Sequence, residues 1–200
     1  MSTHTATVEG AEISNAGALA PLLGDLAALA EEAQREFGAL SARQLNWKPD
    51  AKQWSVGQCL EHLIKTNGAY FPRLEQMSRG EWKPTAWERL GLLSKFFGRT
   101  LLKFVSPESK LKANAPSRLK PSGSGVDARV VNSFVEHQQR LAELMRANDK
   151  LDPERVYVTS PVASFVTYSL LDGYRVIVAH ERRHLAQARR VTQMEGFPKE

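Results

Sequence analysis

Apolar residues recur along this chain at steps of three and four, the period of a helix that turns one face to a core. The first such stretch runs from Asn15 to Leu40, with Leu19, Leu22, Leu23, Leu26, Leu29, Ala33, Phe37 and Leu40 in step. Ala and Leu dominate it, and both favour helix. Pro21 stands early, where a first turn tolerates proline. Residues 41–54 read as a connector. A second helix then starts at a clear signal: Ser55 as N-cap with Gln58 three positions on, a capping box. Trp54 and Cys59 are placed to form the accompanying hydrophobic staple. This helix is predicted to reach about Met77 along Val56, Cys59, Leu60, Leu63, Tyr70, Leu74 and Met77, with a kink or an early stop at Pro72. A third runs over about 126–148 on Val130, Phe134, His137, Leu141 and Leu144. The last is predicted over about 164–194, with Leu170, Tyr174, Ile177, Val178, Glu181, Leu185 and Ala188 inward, ended by Gly196 and Pro198.

Between the second and third of these helices, residues 79–129 are too long for a structureless connection in a compact domain. A helix at about 86–105 fits within them, with Trp87, Leu90, Leu93, Phe97, Leu101 and Phe104 on one face. Lys95, Arg99 and Lys103 make a basic stripe beside that face. The Lys/Pro/Ser/Gly-rich run that follows, to Gly125, reads as an exposed loop. No strand pair and no internal repeat is visible. The expectation is an all-α bundle of four long helices with one inserted helix, forming a single domain over 15–196 behind a frayed arm at 1–14.

Composition narrows the function classes. Hydrophobic residues make up 42% and charged residues 24% of the 200 positions, the balance of an ordinary globular chain. Cys59 is the single cysteine, so no intrachain disulfide framework exists. With neither a signal-peptide pattern nor an apolar run long enough for a membrane span, the expected location is the cytoplasm. The formal net charge of +5 is mild. Zinc-finger spacing, RNP-type aromatics and a G-x-x-x-x-G-K loop are all missing, so nucleic acid is not an expected partner.

Candidate chemistry lies in the histidines. His180 and His184 stand four apart on the last helix, one turn from each other on one face, with Glu181 beside the first. Two imidazoles so placed can share a metal ion, and bundles build metal sites from side chains that face inward. H-E-x-x-H also matches the zinc-protease pattern, in which the glutamate is a general base. Those enzymes take a further ligand downstream, but residues 185–200 contain no histidine. Proteolysis is therefore disfavoured, and Glu181 reads as a carboxylate supporting the site or pairing with an arginine. His62 borders the apolar stripe of helix two, where a lone histidine is more often a hydrogen-bonded core residue than a ligand. His137 is a buried polar residue or a supporting group, and His4 falls in the arm.

Three features together resemble the DinB-like (YfiT-like) family of metal-binding four-helix proteins. One is Trp47-Lys48-Pro49 followed by Trp54-Ser55 and, on the same helix, His62-Leu63. Another is His180-Glu181-Arg182-Arg183-His184-Leu185-Ala186-Gln187, similar to the family's H-x-x-R-H-x-x-Q. The last is their order, one histidine early and a pair late. The similarity covers most of 15–195 but not 79–129. The resemblance implies an up-down-down-up bundle and a three-histidine site of His62, His180 and His184, with open positions for water or substrate. Zinc, nickel, iron and manganese all suit imidazole ligands.

Relatives in that family include S-transferases that use low-molecular-weight thiols, a thiol-dependent isomerase and metal-dependent hydrolases. The resemblance thus implies a metal-dependent transferase in which a metal-activated thiol or water is the nucleophile. A thiol would be a co-substrate, the other partner a small-molecule substrate, and a homodimer is plausible by the same likeness. Arg182, Arg183 and the basic insertion are candidates for binding a thiol's carboxylates. Trp82, Trp87, Phe96 and Phe97 are candidates for an apolar pocket. The alternatives are a non-catalytic stress-response or interaction module, in which the basic helix would bind a partner or an anionic surface, and a hydrolase.

Overall fold

The computed structural model describes residues 16–90, 94–106, 117–123 and 125–199. The proposed arm, the middle of the inserted helix at 91–93 and most of the predicted loop, at 107–116, lie outside them. Helix α1 spans Ala16–Phe37. Leu19, Leu22, Leu26, Leu29, Ala33 and Phe37 are all buried, as their spacing requires. Pro21 falls in the second turn and not the first, so the carbonyl of exposed Gly17 loses its i+4 donor. The connector contains a short helix, α2 (Ala42–Asn46), with its own capping box of Ser41 and Gln44. Asn46 then clamps the chain before the third long helix: its amide donates to the Val126 carbonyl at 2.9 Å and its Oδ1 accepts from the Val126 N–H at 2.6 Å.

Helix α3 spans Val56–Gly68 and starts as its sequence dictates. Ser55 Oγ accepts from the Gln58 N–H, and Gln58 Oε1 accepts from the Ser55 N–H, both at 3.1 Å. The helix stops before Pro72. A separate helix, α4 (Phe71–Ser78), carries that proline in its first turn, where a missing N–H costs least. Gly80, at φ 69°, turns the chain away in a conformation that side chains disfavour.

The insertion supplies α5 (Ala86–Leu90) and α6 (Ser94–Val105), which packs on the last helix. Its approach is close. A Cβ at Gly98 would sit 2.6 Å from Asp172 Oδ2, so glycine is what lets α6 dock there. Helix α7 is Val130–Ala147 and α8 is Leu170–Thr192.

A two-stranded hairpin corrects the expectation of no strand pair. Strand β1 (Tyr157–Thr159) pairs antiparallel with β2 (Thr167–Ser169), Val158 opposite Tyr168. The hairpin also moves the start of the last helix. It begins at Leu170, capped by Ser169 Oγ on the Asp172 N–H, and not near 164. Strands of three residues are too short to show a period-two pattern, so the β-branched and aromatic residues here were absorbed into flanking segments. Glu88 anchors β1 to the insertion. Its side chain is fully buried, accepts the Thr85 and Thr159 N–H groups at 2.8 and 2.9 Å, and faces Arg73 at 3.4 Å.

The contacts set the direction of the bundle. Asp25 and Glu32 on α1 meet Arg182 and Arg189 on α8, so these helices run parallel. Asn67 meets Glu181, and Trp54, ahead of α3, meets His184, so α3 and α8 run antiparallel. Val126, ahead of α7, lies by Asn46 and Gly57, and Asn148 at its end donates to the Leu74 carbonyl, so α7 runs with α3 and α4. The order is up-down-down-up. Each of α1 and α3 packs on both α7 and α8, and the described chain is predominantly helical.

Candidate metal centre

Two helices carry the histidines to one place. The turn His180–His184 lies on the side of α8 that faces α3, and His62 lies about two turns past the capped start of α3. One ring nitrogen from each of His62, His180 and His184 can be chosen so that all three lie within 4.8 Å of one another. The ring centroids are 5.1 Å (62–180), 4.8 Å (62–184) and 4.6 Å (180–184) apart, every pair edge-on. The rings do not stack on one another, and each keeps a nitrogen within 4.8 Å of one on the other two.

The surroundings prepare the rings for a cation. His62 Nδ1 lies 2.7 Å from the Leu119 carbonyl, an acceptor only, so Nδ1 holds the proton and Nε2 keeps a lone pair. His184 Nδ1 is buried with no hydrogen-bond partner, an unsatisfied polar atom beside the other two rings. Burial, then the neighbouring histidines and Arg183, holds His180 well below the usual imidazole range. Burial, with His62 and Arg183 adding to it, brings His184 down to about 3. Burial also lowers His62, against the raising effect of the Leu119 carbonyl. All three are neutral near pH 7, the form that ligates. Metal of imidazole-binding type fits this donor set.

Trp54 forms the cap of the trio. Its ring lies 4.8 Å from His62 and stacks on His184 at 5.6 Å and 23°. Two supports were not visible in the sequence. The Leu119 carbonyl comes from a single 3-10 turn at Ser117–Leu119, inside the insertion, where no pattern marks a backbone acceptor. Trp54 was legible as half of a staple and as part of the family likeness, but not as a neighbour of the histidines.

Other candidates are placed elsewhere. His137 stacks on Phe71 at 4.6 Å and 15°, away from the trio, and burial holds it down to about 4. Glu181 is fully buried and accepts from the Asn67 amide at 2.6 Å, not from an arginine. Burial pushes its carboxyl up to about 8, against the lowering effect of the Gln138 and Asn67 amides. Burial likewise pushes the Cys59 thiol up to about 12, which leaves it inert.

A cleft of about 1130 Å³ opens onto the trio. Its apolar wall is made by Trp54 with Leu101, Phe104 and Val105 of α6. Trp82, Trp87, Phe96 and Phe97 do not line it, and Trp87 and Phe96 are exposed on the outside. Arg183 does line it and donates to the carbonyls of Phe104 and Ser106, which fastens the end of α6 to α8. Arg182 points the other way, to Asp25.

A model of the DinB superfamily matches residues 25–188, the span from α1 into the last turns of α8. The chain belongs to the DinB superfamily. Among curated proteins, this DinB chain is 24% identical over 169 residues to the uncharacterized protein YuaE of Bacillus subtilis (strain 168), covering 81% of the chain and 91% of YuaE. No solved structure matches it. Within this DinB bundle, three histidines that could hold a metal ion stand at the floor of a cleft, and no helix among the described residues is long and apolar enough to cross a membrane.

Proposed function

We propose that His62, His180 and His184 bind one divalent transition metal, and that the protein is a transferase acting with a low-molecular-weight thiol. The observation that carries the metal reading is the convergence of three neutral imidazoles, one of them with an orphaned buried nitrogen, at the floor of an open cleft. When bound, a divalent ion supplies the Lewis acidity that lowers the pKa of a thiol or a water at its open position. The chain's own groups do the rest. The Leu119 carbonyl fixes the His62 ring, and Trp54 fixes His184 by stacking. Trp54 and the α6 side chains Leu101, Phe104 and Val105 give an electrophile an apolar surface and keep water from it. Cys59 is buried and protonated, so the reacting thiol comes from outside the chain.

The test has two stages. Protein purified without chelator is assayed for bound metal as wild type and as His184→Ala; near-stoichiometric metal in the first and little in the second is expected. Equal, near-zero occupancy in both removes the site. The loaded protein is then given several small thiols with a chlorodinitrobenzene-type electrophile, and separately an ester panel. Thiol conjugation supports the transferase; ester cleavage without thiol assigns the hydrolase.

A further inference from the structure

Helix α8 carries two pairs of arginines, each pair two turns apart: Arg182 with Arg189, and Arg183 with Arg190. The first pair faces α1 and is met by carboxylates, Asp25 at 2.5 Å from Arg182 and Glu32 and Glu36 at 2.5 and 2.7 Å from Arg189. The second pair lines the cleft. Lys48, Lys52 and Lys120 join it there, and among the described residues the lining contains no Asp or Glu. Two acids stand close by outside the lining: Glu61 is turned to Lys65 and to the Ser122 N–H and hydroxyl, and Asp50 accepts the Lys52 and Gln53 N–H groups and the Gln53 amide, with the Lys52 charge near it. Lys48 donates to the Ala51 carbonyl at 3.3 Å, a neutral acceptor. Lys120 directly follows the residue whose carbonyl holds His62, so its backbone stands beside the metal ligands. The opposite wall is apolar: Trp54, Leu101, Phe104 and Val105. A cleft lined by one sign of charge with low-dielectric walls concentrates its field on whatever enters.

We propose that this cleft selects a small amphipathic anion, with its apolar body against Trp54 and α6 and its carboxylate or phosphate on Lys48, Lys52, Lys120 and Arg190. The inference rests on the reading of the cleft as the substrate site. It adds the charge of the substrate and the residues that read it. Arginines with carboxylate partners stabilise a fold; cations gathered around a cavity without carboxylates in its lining keep their attraction for a ligand.

Paired fluorescent probes test this. Protein as purified is titrated with 1-anilinonaphthalene-8-sulfonate and with N-phenyl-1-naphthylamine, the same aromatic body without the sulfonate. The expected result is an anionic dye bound about tenfold more tightly, a preference that disappears in about 1 M salt. Lys52→Glu/Lys120→Glu should abolish the preference, and the milder Lys52→Gln/Lys120→Gln should reduce it with an unchanged circular-dichroism spectrum. Displacement of the dye by benzylmalonate or by phenyl phosphate then shows whether carboxylate or phosphate is preferred. Equal affinity for the two dyes, or a preference untouched by either double variant, overturns the proposal. His184→Ala separates it from the metal reading. Bound metal in the wild type with no anion preference sinks only this inference; absence of metal with the preference intact in both proteins sinks only the metal site.

Discussion

The two long sides of α8 are built from similar residues and do different things. Towards α1, Arg182 and Arg189 are closed off by Asp25, Glu32 and Glu36. Towards α3 and α6, His180, His184 and Arg190 face a cleft whose lining among the described residues has no carboxylate. The helix backbone cannot account for the difference, since both sides repeat at the same spacing. The neighbours decide. Where a facing helix offers acids, a basic residue becomes part of the scaffold. Where it offers an imidazole, an indole and a carbonyl, the site keeps unfilled lone pairs. Thus a basic or imidazole side chain on a bundle helix is read for function only after its partners are known.

The largest test of this contrast is on the cleft side. His184→Ala should lower metal affinity by more than about 100-fold, read as metal content after purification. The fold should survive, because the surrounding core comes from Leu185, Ala188 and Ile177. His137 supplies the comparison within one residue type, a buried histidine outside the trio. Burial holds its folded pKa at about 4 against an ordinary 6.5, so below 6.5 the unfolded chain takes up a proton that the folded chain refuses. Stability therefore falls as pH drops from 6.5 towards 4 and levels off below. His137→Phe should remove that share, so that urea-melt stabilities of the two proteins diverge over this window by up to about 3 kcal/mol. Parallel curves would show that His137 is hydrated or partnered.

Gly98→Val tests what holds the cleft wall. Its side chain must displace Asp172, so we expect a loss of about 1–3 kcal/mol and faster protease cutting within α6, with metal content little changed. The smallest effect belongs to the scaffold side. Arg189→Ala removes a half-exposed pair with two glutamates and should cost about 1 kcal/mol in a urea melt, leaving metal and dye binding as they were. A large loss of metal in Arg189→Ala would break the division between the two sides.

Much of this was legible in the chain. The α1 leucines, the Ser55–Gln58 box and the inward residues of α8 all sit where their spacing places them, because a helix repeats within a few residues. The break at Pro72 was legible for the same reason, since one residue forbids the hydrogen bond locally. The hairpin was not, as three residues per strand carry no period. At the candidate centre, the spacing of His180 and His184 was visible, whereas His62 came from family likeness alone. A lone histidine beside an apolar stripe has no local signature. Nothing marked the Leu119 carbonyl, because every residue has one.

The sequence by itself determined the four long helical stretches, the capped start of α3, the break ahead of Pro72, and that two imidazoles share a turn of α8, since those properties are fixed by interactions within a few residues; the start of α8 waited on the hairpin. Tertiary structure decided that a ring nitrogen of His62 comes within 4.8 Å of those of the other two histidines, that Glu181 accepts from Asn67, and that Arg182 is paired across to α1 while Arg183 borders the cleft. Adjacent residues on a helix point about 100° apart, and what each meets is set by elements distant in the chain.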